Sequence, residues 1–468
     1  MLFNSIVFFI FFTVFFFLFY LLNGNNRKLL LFFASSFFYM WFIPVYILIL
    51  FLTILIDYYA AKNIEDSNLS KDKKKHLAFG IINTCAVLFV FKYYNFFIDN
   101  FNALGFHQLA NWHVILPIGL SFHTFQSLSY VIEVYRGNIK AERNLLTYTN
   151  FVMMFPQLVA GPIERANNLL PQLKTCDHII TYKDFSVGLH RFFWGLFKKT
   201  VVADTLSRFV EAAYGNYEFQ SGAMLLVSTL LFSIQIYCDF SGYSDMAIGV
   251  ARMLGFKFKE NFTLPYFSKS ITEFWKRWHI SLSTWLKDYI YISLGGNRFG
   301  KWLTYRNLML TMLLGGLWHG ASWNFIIWGG LNGLYLSSEK AVSLSKFSPR
   351  NIITKSIRVF YVFILISFSW IFFRAATFNQ AIIIIKKIFL NFNLNKFWFW
   401  DLNIFPSIIF GIIILFCFEY FVFRKYTFDQ IFETKNGNKL LCTFTILFIF
   451  IIIFFGNSSG SQFIYFQF

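Results

Sequence analysis

The sequence predicts an all-α polytopic membrane protein, on three observations. Of its residues, 57% are hydrophobic and only 14% charged, against about 25% charged in soluble domains. Apolar runs of roughly 20 residues, the length that crosses a hydrocarbon core as a helix, recur along the whole chain. Lys and Arg, which give a formal charge of +18, gather in short patches between those runs, as cytoplasmic loops require. That distribution accounts for the charge without nucleic acid, and no nucleic-acid partner is expected. With no soluble stretch apparent, residues 1–468 read as a single membrane-embedded domain. Cys85, Cys176, Cys238, Cys417 and Cys442 are odd in number, widely separated and without a CxxC pair, so no metal site or disulfide framework is expected.

The first span, Leu2 to Leu22, has no basic residue before it, while Arg27 and Lys28 follow directly. The positive-inside bias therefore puts the N-terminus outside and NGNNRK in the cytoplasm. The next apolar run, Leu29 to Ala61, would measure some 50 Å as one helix, against a core of about 30 Å. Pro44 near its middle predicts a break into two helices. A lysine-rich loop, KNIEDSNLSKDKKKH, leads to a span from Leu77 to about Ile98, and LPIGLSFHTFQSLSYVIEVY returns with His123, whose plain reading is a hydrogen bond to a neighbouring helix.

Phe151 to Arg165 is too short to span and contains Pro156, Gly161 and Pro162, so it reads as re-entrant and buried in protein. Phe185 to Val202 mixes aromatic and basic residues, as interfacial helices do. The run from Met224 to Ala251 is interrupted by CDFSGYSD, and Asp239 and Asp245 at membrane depth must be paired, solvated or protonated. Ser270 and Glu273 form a capping-box pattern. From there Phe274, Trp275, Trp278, His279, Leu282, Trp285 and Tyr289 share one face at helical spacing, which predicts one amphipathic helix ended by Gly295 and Gly296.

A further helix climbs through NLMLTMLLGG to Trp318 and His319, where Gly315, Gly316 and Gly320 let a backbone or a ligand approach the imidazole. Spans follow at about Ile357 to Phe373, Phe405 to Phe423 and Leu440 to Phe455, with an amphipathic piece near Gln380 to Leu390. Two histidines, His279 and His319, in membrane-embedded apolar surroundings make a functional site the default reading. A structural hydrogen bond is the alternative at each.

WKRWHISLSTWLKDYIYISLGGNR, followed by GGLWHGASWNFIIWG, resembles the membrane-bound O-acyltransferase family. Within it, the likeness is to the bacterial branch of alginate O-acetylation, peptidoglycan O-acetylation and teichoic acid D-alanylation proteins. LPIGLSFHTFQSLSYVIEVYRG, FPQLVAGPIER and QIYCDFSGYSDMAIGVARMLGF extend the resemblance over nearly the whole chain. It implies a helical bundle of about eleven spans with re-entrant and interfacial helices. His319 corresponds to the family's catalytic histidine and His279 to its second recurrent polar position.

A neutral imidazole at His319 suits a general base that deprotonates a hydroxyl attacking an acyl thioester. An acyl-histidine route runs through the same residue. His279 would orient the acyl carbonyl, assist proton transfer, or hold its helix by a structural bond. The expected donor is acetyl-CoA or another acyl thioester, including one on a carrier protein. Lys276, Arg277 and Arg298 offer charge for its phosphates, although positive-inside topology explains them equally.

The tip FIYFQF, on the flexible C-terminal segment 456–468, resembles an aromatic motif of wall-acylating members. That resemblance implies an acyl relay at Tyr465, with an aromatic interface anchor as the alternative. The activity expected is acetyl transfer from the cytoplasm to an extracytoplasmic polysaccharide, through a partner acetyltransferase, at the bacterial cytoplasmic (inner) membrane and among its lipids. The abundance of Phe, Ile, Asn and Lys favours peptidoglycan over an alginate-like glycan as acceptor. D-Alanyl transfer to teichoic acid is the runner-up. A transporter of polysaccharide or lipid-linked sugar is a reading of another class, disfavoured because no paired broken helices in two similar halves occur.

Overall fold

Ser5 opens the first helix by accepting a hydrogen bond from the Phe8 amide, and α1 then runs Ile6–Leu21. In this computed structural model the described residues are 1–105, 109–112, 114–176, 180–342, 351–394, 404–457 and 463–464. They form two compact units, Met1–Leu189 with Ala247–Lys259, and His190–Met246 with Glu260–Phe468. Among the described residues there is no strand.

In the first unit α2 spans Gly24–Met40, so most of NGNNRK is helix rather than loop. Arg27 and Lys28 are buried, not solvated as positive-inside residues would be. Arg27 Nε donates to the carbonyls of Phe19 (3.0 Å) and Leu22 (2.6 Å), and Lys28 Nζ donates to that of Lys174 (2.6 Å). The guanidinium thus satisfies carbonyls that the end of α1 leaves open, where a cation is favoured.

The chain breaks where Pro44 predicts, at a short 3₁₀ turn before α3, Ile47–Asp66. Helix α4, Ser70–Leu88, begins inside the lysine run and continues through a π turn, Phe89–Tyr93, into α5, Tyr94–Ala103. Then come α6, Leu120–Tyr135, α7, Leu145–Met153, the buried short α8, Phe155–Leu158, and α9, Ala166–Thr175. Helix α3 packs on α4 and α6, and α2 on α7. His123, on α6, is buried, with Nε2 3.4 Å from Thr53 Oγ1 on α3.

Helix α10, Tyr182–Phe197, passes into a π turn, Lys198–Ala203, and then α11, Asp204–Gly215. Helix α12, Gly222–Met253, is continuous through CDFSGYSD, where the sequence suggests an interruption. Its carboxylates explain why the helix survives. Asp245 accepts from Lys198 Nζ (2.5 Å) and Arg191 Nε (2.9 Å). Asp239 accepts from Lys199 Nζ (2.6 Å), which also meets Asp204 (2.8 Å). Lys198 and Lys199, expected at the interface, are therefore buried ion-pair partners, each satisfying a carboxylate that could not stand alone in an apolar interior.

The second unit continues with α13, Ile271–Arg277, α14, Ile280–Leu286, α15, Lys301–His319, and α16, Trp323–Ala341. After these come α17, Ile352–Arg374, α18, Phe378–Leu390, α19, Ile404–Phe418, α20, Phe428–Phe432, and α21, Gly437–Phe455. Helices α15 and α16 form an antiparallel hairpin, and α17 packs on α16. Among the described residues six helices are long and apolar enough to cross a membrane: Pro44–Asp66, Ser70–Ala103, Gly222–Met253, Ile352–Arg374, Pro406–Phe423 and Gly437–Phe455.

Candidate functional site

Ser270 accepts from the Glu273 amide (3.0 Å) and so opens α13. Glu339 of α16 takes the next free amides, from Ile271 (2.5 Å) and Thr272 (3.3 Å). The helix does not run on to Tyr289 as its periodicity predicts. It breaks at His279, whose backbone is left-handed at φ 43°, ψ 54°. For a residue other than Gly that conformation costs about 1–3 kcal/mol, and it persists only where its surroundings impose it.

Asn261 imposes it. Its carbonyl oxygen accepts from the Ile280 amide (2.8 Å). Its side-chain Oδ1 accepts from the Ser281 amide (3.3 Å) and the Ser281 hydroxyl (2.9 Å), and lies 3.1 Å from His279 Nδ1. Nδ2 donates to Ser244 Oγ on α12 (3.0 Å). The imidazole is fully buried, with the Phe240 ring edge-on at 4.6 Å.

His319 is the last residue of α15, and it is only 5% exposed. The rings of Trp318, Trp328 and Phe373 stand 5.0, 5.0 and 5.3 Å from it. Trp318 also lies 6.1 Å from the His279 ring. The two predicted histidines thus belong to one aromatic cluster that shares Trp318. The neighbouring glycines serve the hairpin more than a ligand. A Cβ on Gly316 would come within 2.2 Å of the Phe325 carbonyl oxygen, and one on Gly320 within 2.1 Å of the Phe325 ring.

A cavity of about 500 Å³ opens beside α13 and α14, floored by Met312 and Leu336 and edged by Lys276, Lys287 and Lys340. Glu339 also lines it, with its carboxylate accepting from the α13 amides, and Lys287 pairs with Asp288 (3.4 Å), so the lining carries three lysines against one carboxylate. Trp275 forms part of the wall and lies 5.8 Å from Trp328, the same ring that meets His319. Of the basic residues expected to face a donor, Lys276 is at this cavity, whereas Arg277 pairs with Glu273 (2.6 Å).

Tyr465 lies outside the described residues. Two residues before it, Phe463 is buried against Tyr243 (5.0 Å) and Phe240 (5.8 Å). The Ile464 amide donates to Asp239 Oδ2 (2.8 Å), and the Asn457 amide donates to the Thr200 carbonyl in the π turn (3.0 Å). Phe240 therefore touches both the tail and His279. Sequence reasoning misses Asn261, Phe240 and Phe373. The only trace of Asn261 is a polar residue in the turn-forming stretch KENFTLPYF, and no spacing connects it with His279.

The family model for MBOAT, the membrane-bound O-acyltransferase family, matches residues 29–378. A probable alginate O-acetylase of Azotobacter vinelandii is 46% identical over 316 residues, 67% of this chain and 62% of its own length. The peptidoglycan O-acetyltransferase of Helicobacter pylori is 36% identical, covering 71% of this chain and 68% of that protein. The teichoic acid D-alanyltransferase of Bacillus subtilis is 27% identical over 57% of this chain and 71% of its own length. The chain thus spans about three fifths of the length of the probable alginate O-acetylases that it matches.

Proposed function

The chain belongs to the membrane-bound O-acyltransferase family, and from that premise we propose that it is a membrane O-acetyltransferase. It takes acetyl from a cytoplasmic thioester and delivers it for O-acetylation of an extracytoplasmic polysaccharide. The observation that carries this reading is the pair of buried histidines sharing Trp318, an arrangement with proton-accepting groups but little access for water.

In the reaction we assign to the site, the imidazole of His319 takes the proton of the acceptor hydroxyl. The acceptor oxygen bonds to the acyl carbon, the C–S bond breaks, and the imidazolium returns its proton to the departing sulfur. Trp318, Trp328 and Phe373 keep water from competing for the acyl group. The cavity edged by Lys276, Lys287 and Lys340 supports an anionic donor such as acetyl-CoA or a phosphopantetheine carrier.

Identity favours the alginate-type relatives, whereas the peptidoglycan O-acetyltransferase matches over more of both chains. A sugar hydroxyl is common to both, and peptidoglycan is the first acceptor to assay. The D-alanyltransferase relative keeps a second reading open, with D-alanine as the acyl group. A partner acetyltransferase outside the membrane, a relay through Tyr465, an outward N-terminus and residence in the bacterial inner membrane complete the proposal.

The test compares base-labile acetate and D-alanine on purified envelope polymers from cells carrying the unaltered protein or His319→Ala at equal membrane levels. Removing a general base lowers rates by roughly 10²–10⁴-fold, so acetate on one polymer should fall to background. Loss of D-alanine instead would select the second reading. No change in either would discard both.

A further inference from the structure

Asn261 has its amide orientation fixed by its neighbours. The Ser281 amide is the second of α14 and has no acceptor within that helix, so an oxygen must face it. Side-chain Oδ1 does so at 3.3 Å, and the Ser281 hydroxyl donates to the same atom at 2.9 Å. The opposite edge, Nδ2, is matched by Ser244 Oγ at 3.0 Å. Reversing the amide would set an NH₂ group against the Ser281 N–H and break that set of bonds.

With oxygen at that position, the ring nitrogen 3.1 Å away must be a donor. We infer that Asn261 is a positioning residue that holds neutral His279 as its Nδ1–H tautomer, which makes Nε2 a lone-pair acceptor. An Nε2 lone pair repels an acyl carbonyl oxygen, so His279 does not polarise the thioester. That consequence for the thioester rests on the acyl-transfer reading above, whereas the tautomer does not.

Two measurements test it. In the full-length protein, ¹⁵N-labelled at histidine and held in lipid nanodiscs, the His279 signals are assigned by their loss in His279→Asn. A protonated Nδ1 and an unprotonated Nε2 are expected, and a protonated Nε2 would overturn the inference. Ester formation on envelope polymer is then compared at equal membrane levels in Asn261→Ala and Asn261→Asp. Loss of a residue that orients a reactive imidazole costs on the order of 10–100-fold, and that fall is expected for alanine. Aspartate, which offers the same acceptor to Nδ1–H and to Ser281, should restore most of the rate. Alanine within twofold of the unaltered protein, or aspartate as slow as alanine, would overturn the positioning role. If the unaltered protein forms no ester, the acyl-transfer reading fails, and the nitrogen spectrum alone upholds or overturns the tautomer.

Discussion

At His279 the backbone and the imidazole make separate demands, and substitutions can part them. The left-handed conformation at φ 43° tolerates Asn better than other non-Gly side chains, while a β-branched residue there is strongly disfavoured. His279→Asn should therefore accumulate in membranes and melt close to the unaltered protein, yet lose ester formation. His279→Val should melt lower still, by the equivalent of about 1–2 kcal/mol relative to Asn. Thermal unfolding in detergent checks this, and equal melting of the two variants would mean that the backbone at 279 relaxes without strain. Both histidines stand out in the sequence because a polar titratable group is expensive in an apolar run. The left-handed turn does not, since residues at helical spacing on either side of one kinked position still read as a continuous apolar face.

Elements carry the site through the α15–α16 hairpin, where His319 ends one helix and Trp328 sits on the other. The helices meet at glycines: a Cβ on Gly316 would lie 2.2 Å from the Phe325 carbonyl oxygen, and one on Gly329 2.3 Å from that of Met312. Backbone cannot yield as a side chain can, so Gly316→Ala or Gly329→Ala should cost about 1–3 kcal/mol and displace His319 from its wall. Gly330→Ala is the matched control, because its Cβ would meet only Leu313 Cδ2 at 3.6 Å. Activity and melting temperature measured together should fall for 316 and 329 and hold for 330; since helix propensity favours alanine over glycine, a fall at 330 as well would mean that close backbone approach is not what sets 316 and 329 apart. Element boundaries divide in the same way. The break at Pro44 is readable because proline removes a donor locally, whereas α12 runs unbroken through CDFSGYSD because lysines far away in sequence neutralise its aspartates.

Across the whole molecule the reading of Lys and Arg as residues of solvated loops and interfaces fails at particular positions. Arg27, Lys28, Lys198 and Lys199 are buried, each held by carbonyls or carboxylates that composition cannot pair with it. Lys199 shows what such burial organises, since it joins Asp204 to Asp239, and Asp239 in turn receives the Ile464 amide of the C-terminal segment. Stability and tail anchoring should therefore separate. Lys199→Met leaves two buried carboxylates facing each other without a cation, a loss of about 3–5 kcal/mol, and should lower the melting temperature sharply. Ile464→Pro removes only the donated N–H and leaves the three charges as they are, so its melting temperature should hardly move. Its tail should nonetheless be trimmed by carboxypeptidase several-fold faster than that of the unaltered protein or of Ile464→Val. If Ile464→Pro is trimmed no faster, the amide–carboxylate bond does not hold the tail. Phe463, packed against Phe240 and Tyr243, would then be the anchor, and Phe463→Ala should release the segment instead.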